Sequence, residues 1–482
     1  MRHRVREAGR RTFRAISVRN YRLYFTGQVI SVSGTWMQTV AQAYLILFPL
    51  HGTGLDVAIA TSLQFLPLLF LGPFGGLVAD RLDKRKVLYA TQGTAGVLAL
   101  VLGLSVAAHV ATLWEVYVLA AGLGFVNLFD NPARQTFVSE MVGVELLPNA
   151  VSLNSVLMNS ARVIGPAVGG VLIVTVGVAT CFFVNAISYA AVITALALMR
   201  ASELYRRPGV RRAKGQVREG LRYAWATRDL RVLLVSMALV GVFAFNFTVT
   251  LPLLAKFTFH GGAGLYSWFM VAMGAGAVVG GLATAFYSRP SARLLACIAV
   301  VFGSAILAVA FAPTQAWAMA LLVPMGVASI AFVATNNATL QLRADPSMRG
   351  RVMSLNAIAF LGSTPIGAPL LGYVSDATTP RVALALGGGA TLLASIPLFV
   401  LATRQRRAGT EGLVAGFEQA PGASAGVDDL PGHGGHDRAE LGHERDQEVV
   451  DRDDAGQIRV LEDGEAPRRG RAEHAERLED VG

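Results

Sequence analysis

Residues 75–86 read GGLVADRLDKRK and follow directly on the apolar LQFLPLLFLGPF. Between Asp80 and Lys86 six of seven residues are charged, two acids and four bases. Such spacing suits electrostatic work. Asp80 and Lys84 stand four apart, where opposite charges on one helix face can pair. An acid at a helix end can also meet the positive N-terminal end of a neighbouring helix. A second charge of interest is Arg162, set in the apolar context NSARVIGP and about 20 Å along a helix from Asn149. If that run crosses a membrane, the charge costs about 2.5–3.5 kcal/mol on insertion scales, so it should face inward and hold a partner. Three roles are open to Arg162: pairing with Asp130, binding an anionic substrate group, or coupling.

Other chemistries lack their residues. No GxxxxGK[ST] loop occurs among the four lysines, so ATP is not the direct energy source. The run GAGAVVGG (274–281) has neither the preceding strand nor the following acid of a nucleotide fingerprint, and reads as helix packing. HGGH at 433–436 has no further arranged ligands, so no metal site is expected. No nucleophile–base pair or acidic dyad points to an enzyme, and no cofactor is expected beyond a proton gradient.

The elements that must position these charges follow from composition. The 482 residues are 53% hydrophobic and only 15% charged, with a mean hydropathy of +0.49. A soluble protein has about 25% charged residues, so the polar surface that water requires is missing. Apolar segments recur near 22–48, 56–79, 87–108, 112–130, 153–176, 179–199, 231–255, 264–287, 292–311, 316–341, 352–375 and 382–402. Each reaches the roughly 20 residues needed to span a bilayer. Barrel strands would alternate over about ten residues, and that pattern is absent, so the twelve spans are read as helices. Cys181 and Cys297 lie inside such segments and read as small apolar residues rather than a disulfide.

The bases fall on alternate sides of the spans. RLDKRK, PARQ, SRPSAR and RADPSMRGR share one side with both termini and the long basic stretch after residue 200, while Lys256 and Arg381 fall near the other. The positive-inside rule then places both termini in the cytoplasm. A basic body in this arrangement argues for membrane orientation and against nucleic acid. From Ala408 onward the chain carries 8 Lys and Arg against 19 Asp and Glu, leaving 34 against 13 before it. The expected organisation is a basic N-terminus at 1–20, a six-helix half at 21–200, a basic linker at 201–229, a second half at 230–403, and a disordered acidic tail at 404–482.

The halves repeat. SLN at 152–154 recurs at 354–356, and IGPAVGG at 164–170 aligns with IGAPLLG at 366–372. GGL at 75–77 recurs at 280–282, so span two corresponds to span eight and span five to span eleven. Duplicated halves suit a central site exposed to each side in turn. Glycines four apart, Gly165 with Gly169 among them, predict close helix contacts, as do Pro166, Gly170, Gly367 and Gly372 in the aligned runs.

At GGLVADRLDKRK the chain resembles the signature loop between spans two and three of the major facilitator superfamily. Gly76, Asp80, Arg81, Lys84 and Arg85 match the pattern, while Asp83 stands where glycine is usual. That departure is shared by a branch that resembles enterobactin exporters and macrolide-efflux proteins, whose further marks include NPARQ (131–135), LPNAVSLNSVLMNSARVIGPAVGG (147–170), EGLRYAWATRDLR (219–231) and RGRVMSLN (349–356). The resemblance runs over residues 15–403 and leaves out the tail. It implies an all-α membrane protein of twelve helices in two pseudo-symmetric halves. It also implies a latch in which Asp80 meets the start of span eleven near Arg351, with Asp130 as the acid closing span four. Spans one, four, seven and ten would line the cavity, with Trp36, Gln38, Gln42, Asn127, Asn246, Asn336 and Asn337 as candidate lining. For each amide the alternative is interhelical hydrogen bonding.

Proton coupling has one candidate carrier, Asp130, since other span acids lie near outer ends and the span-four arginine of many proton-linked members has no match. The expectation is therefore a monomeric, multi-pass secondary transporter of the cytoplasmic membrane, in contact with lipid. It would export a hydrophobic or amphiphilic small molecule, of drug or siderophore type, by alternating access. An importer or facilitator of a small nutrient is the alternative, and a non-transporting sensor or scaffold a remote one.

Overall fold

The computed structural model describes residues 14–205, 216–286 and 290–418, without the side chains of 73–81, 216–217, 285–286 and 405–418. Ten helices among the described residues are long and apolar enough to cross a membrane. One of them, Leu113–Thr175, is two spans in succession, because Gly143 breaks it with φ 71° and ψ −177°. Arg19–Leu47 is less apolar, carrying buried Asn20, Gln28, Gln38 and Gln42, and completes the twelve. In order the spans are Arg19–Leu47, Gly54–Arg81, Lys84–Ala107, 113–142, 144–175, Val178–Leu198, Arg228–Thr258, Ala263–Phe286, Ala292–Ala310, Gln315–Arg343, Arg349–Ala377 and the helix beginning at Pro380. A lone span must satisfy every backbone group internally, which is why each apolar run is helical.

The boundary between spans four and five differs from expectation. Span four was expected to end at 130, with PARQ in a loop, yet the helix continues through Pro132 to 142. Proline removes one backbone bond but packing carries the helix on, so Arg134 is a helical residue and not a loop anchor. The turn sits at Gly143, whose backbone conformation only glycine adopts readily. Spans seven and eleven are also interrupted: the first between Phe243 and Phe247, the second between Leu361 and Thr364.

The two halves meet mainly through two helix pairs, span two against span eleven and span five against span eight. Backbones come close at the glycines the repeat had marked. A Cβ at Gly165 would stand 2.5 Å from the Ser33 carbonyl of span one, and one at Gly372 2.7 Å from the Gly54 carbonyl of span two. A Cβ at Gly170 would meet Ser267 at 2.5 Å across the halves, one at Gly169 would meet Met37, and one at Gly367 the Val242 carbonyl. Pro166 is buried beside Gly165.

The bundle has a basic end, where Arg19 and the charged turns lie, and a far end opposite. Three far-end turns close on His51, His109 and His260 in the left-handed region (φ 51°, 58° and 52°). At that end Asp376 of span eleven accepts from the Gly54 and Leu55 amides of span two at 2.8 and 2.7 Å. Lys256 of span seven donates to the Leu47 carbonyl of span one. At the basic end, Lys84–Glu140 stays within the first half and Arg343–Asp229 joins spans ten and seven of the second, while Arg351 of span eleven pairs with Glu219 on the segment between the halves.

Candidate functional site

Span one places Trp36, Gln38 and Gln42 along a central cavity of about 490 Å³, to which residues of both halves contribute. Asn127, Asp130 and Arg134 reach it from span four, Arg162 from span five, and Phe245, Phe247 and Phe360 from the two interrupted spans. The interruptions set the aromatic wall. Phe245 stands inside the span-seven break, with its ring 5.0 Å from that of Phe360 at 84° and 5.4 Å from that of Phe302. Edge-to-face pairs of this kind are favourable beyond their burial.

Four of the seven expected lining residues therefore border the cavity, and three do not. Asn246 is 1% exposed, and its side-chain amide donates to the Val242 carbonyl at 2.7 Å and the Gly241 carbonyl at 3.3 Å. It occupies carbonyls that the broken helix leaves without amide donors. Asn336 donates to Asn356 at 3.0 Å, and Asn356 donates to Asn337 at 2.6 Å, which ties span ten to span eleven. Asn336 and Asn337 thus follow the interhelical reading, while Asn246 bonds within its own interrupted span. Gln38 and Gln42 do both jobs: Gln38 accepts from Asn185 at 2.5 Å and Gln42 from Gln64 at 3.1 Å.

Asp130 is 3% exposed, and three donors from two spans surround it. Thr91 and Gln92 of span three each donate to one carboxylate oxygen at 2.8 Å, and Arg134 pairs with the other at 3.0 Å. Arg134 further donates to Gln28 at 3.2 Å and Asn131 at 2.8 Å. Sequence reasoning missed Arg134, although the i, i+4 spacing of Asp130 and Arg134 in DNPAR was a signal for it. Pro132 had hidden that spacing by suggesting a helix stop.

This network decides one of the three roles left open for Arg162: Asp130 pairs with Arg134 and not with Arg162. Lys84, placed by its spacing to pair with Asp80, has Glu140 as a partner at 2.5 Å, ten residues beyond Asp130 along span four. Arg162 instead lies over the Trp36 ring, 5.0 Å from its centroid, with its buried Nε lacking a hydrogen bond. Among the described residues no carboxylate pairs with Arg162.

Around the signature loop, Gly76, Asp80 and Arg81 belong to the last turns of span two, and their side chains lie outside the described residues. Asp83, the departure from the usual glycine, caps span three by accepting from the Arg85 amide at 3.0 Å and the Lys86 amide at 3.3 Å. Arg85 reaches the Ala197 carbonyl at 3.4 Å and lies over Tyr89. Arg351, the expected neighbour of Asp80, pairs with Glu219 at 2.8 Å. Glu219 belongs to the short helix Gln216–Ala226 between the halves.

Comparison with known proteins fits this architecture. A family described as transmembrane secretion effector matches residues 11–415. The multidrug efflux pump Tap of Mycolicibacterium fortuitum is 28% identical over 77% of this chain and 90% of its own length. The enterobactin exporter EntS of Shigella flexneri is 25% identical over 80% of this chain and 92% of its own. An uncharacterised transporter of Bacillus subtilis, YfiS, is 31% identical, but the match covers only 33% of this chain and 37% of that one. The crystal structure of the nucleoside transporter NupG superposes with a TM-score of 0.65 at 13% identity, covering 79% of this chain and 98% of that one. The chain belongs to the transmembrane secretion effectors, within the major facilitator superfamily of membrane transporters.

Proposed function

We propose that the chain is a secondary active exporter of the cytoplasmic membrane, monomeric, with both termini in the cytoplasm. Its cargo on this reading is a hydrophobic or amphiphilic organic molecule of drug or siderophore type. The observation that carries the proposal is the central cavity: about 490 Å³, walled by Trp36, Phe245, Phe247, Phe360, Met270 and Met273, with a few polar groups to orient a ligand. The efflux pump and siderophore exporter among its relatives support the direction. Bases at the end bearing the termini support the orientation.

Alternating access would rock the halves about the two crossed helix pairs. Hydrogen bonds that join the halves at the far end suit a state shut toward the outside. The signature loop, through Asp80, would hold the opposite state. Asp80→Asn should then abolish transport while the protein still inserts; normal transport by that variant removes the latch. Asp130 is the carrier to examine for proton antiport.

The function is tested by uptake of a labelled panel of amphiphilic drugs, a catecholate siderophore, nucleosides and sugars into everted vesicles, with and without a pH gradient. Accumulation of an amphiphile that collapses with the gradient is the expected result. Accumulation confined to nucleosides or sugars, seen only in right-side-out vesicles, would establish the importer alternative instead.

A further inference from the structure

We propose that the cavity selects amphiphilic anions, with Arg162 receiving the negative head group; this rests on the transporter reading above and names its substrate class. Among the described residues, the charges bordering the cavity are Asp130, Arg134 and Arg162. The first two pair with each other at 3.0 Å, which leaves Arg162 as one uncompensated positive charge. Every other donor near Asp130 adds to its saturation, since Thr91 and Gln92 take its remaining oxygen at 2.8 Å. Among the described residues, the chain therefore supplies no anion to the guanidinium.

Arg162 is held in place without being satisfied. Its guanidinium lies over the Trp36 ring, 5.0 Å from the centroid, yet its Nε is buried with no acceptor. A charge removed from water normally finds an ion partner, and a cation–π contact replaces only part of that. A carboxylate, sulfonate or phenolate in the cavity would accept charge-assisted bonds from the free edge of the fork. The scaffold has no structural need for a charge at this place, because its repeat counterpart in the second half, Thr364, borders the same cavity as a neutral residue. Beyond the guanidinium lie Phe245, Phe247, Phe360 and Met273, which suit an apolar or aromatic body.

The test uses two ligands with one aromatic body, 8-anilino-1-naphthalenesulfonate and the uncharged N-phenyl-1-naphthylamine. Full-length protein in lipid nanodiscs keeps Trp36 while Trp114, Trp225, Trp268 and Trp317 are changed to Phe. Energy transfer from Trp36 that saturates with ligand concentration then reports occupancy of the cavity, and the non-saturating component of the titration gives the lipid background. The sulfonate should bind at least about ten-fold more tightly than the neutral amine. Arg162→Gln should erase that preference and leave the amine unchanged, while Arg162→Lys should keep part of it. Equal affinities in the parent protein overturn the proposal, as does an equal loss for both ligands in a folded Arg162→Gln, or no transfer from the sulfonate. Should Arg162→Gln not fold, the preference in the parent and its change in Arg162→Lys decide. Binding of the anion without export in vesicles would sink the transporter reading alone.

Discussion

At the scale of single residues, the Asp130–Arg134 pair is the part of the site with most at stake. Asp130 is taken out of water and Arg134 is 22% exposed toward the cavity, and Asp130 also holds neutral partners on span three and Arg134 one on span one. Removing Arg134 leaves the Asp130 carboxylate buried without its counter-charge, which costs about 3–5 kcal/mol, and removing Asp130 costs less because Arg134 is part-exposed. Asp130→Asn or Arg134→Gln should therefore lower thermal stability in nanodiscs sharply, and the double variant should recover much of the loss. If the double variant is as damaged as the sum of the singles, the two charges are not a unit. The site was only partly legible in sequence for a physical reason. Residue type and burial can be inferred from an apolar run, but a partner across a helix turn cannot be assigned when the turn is misplaced. Hence Asp130 and Arg162 were recognised as unusual, while Arg134, which decides the role of both, was read as a loop base. Asn246, Asn336 and Asn337 show the converse. An amide in a span must bond to something, and sequence alone does not say whether that is a ligand, a neighbouring helix or, as for Asn246, the carbonyls of its own broken span.

At the scale of elements, hydropathy located the spans because lipid leaves an apolar segment one solution. It failed where tertiary structure offsets polarity. Span one carries buried glutamines that bond to spans two, four and six, so its apolar signal is weak. Span four runs past its expected end because the buried ion pair cancels the charges in DNPAR. The true break is Gly143, at φ 71° and ψ −177°, a region that a side chain strains by about 1–3 kcal/mol. Its added Cβ would find ordinary space, the nearest atoms being those of Tyr205 at 3.6 Å or more. Gly143→Ala should thus destabilise through the backbone alone, lowering the melting temperature without a change in cavity binding. An unchanged melting temperature would mean the turn between spans four and five relaxes freely. At Gly165 the opposite cause operates: φ is ordinary, but a Cβ would press on span one at 2.5 Å. Gly165→Ala should separate spans one and five and alter the cavity directly, read as weakened ligand binding.

At the scale of the whole molecule, spans two and eleven form an exchange between the halves. Their far ends are joined by a carboxylate on a helix N-terminus, Asp376 accepting from Gly54 and Leu55 at 2.8 and 2.7 Å. The arrangement expected of Asp80 is the mirror of this: the acid ends span two and the N-terminus belongs to span eleven. Each helix would then carry the acid that caps the other, one pair at each face, so that engaging one pair requires releasing the other. Lys256 adds a second tie at the far end, from span seven to the Leu47 carbonyl of span one. Bonds to a charged acceptor are worth about 1.5–3 kcal/mol each. Losing them should shift a two-state balance by roughly ten-fold or more. Spin labels on Thr53 and Thr378, at the far end of either half, can report this as a distance distribution. In Asp376→Asn the long-distance population should grow relative to the parent, and Lys256→Met should enlarge it further. The variant should also transport more slowly in the direction that requires the far end to shut. A distance distribution unchanged by Asp376→Asn would mean that the glycine-lined crossings hold the far end, with the carboxylate only capping a helix.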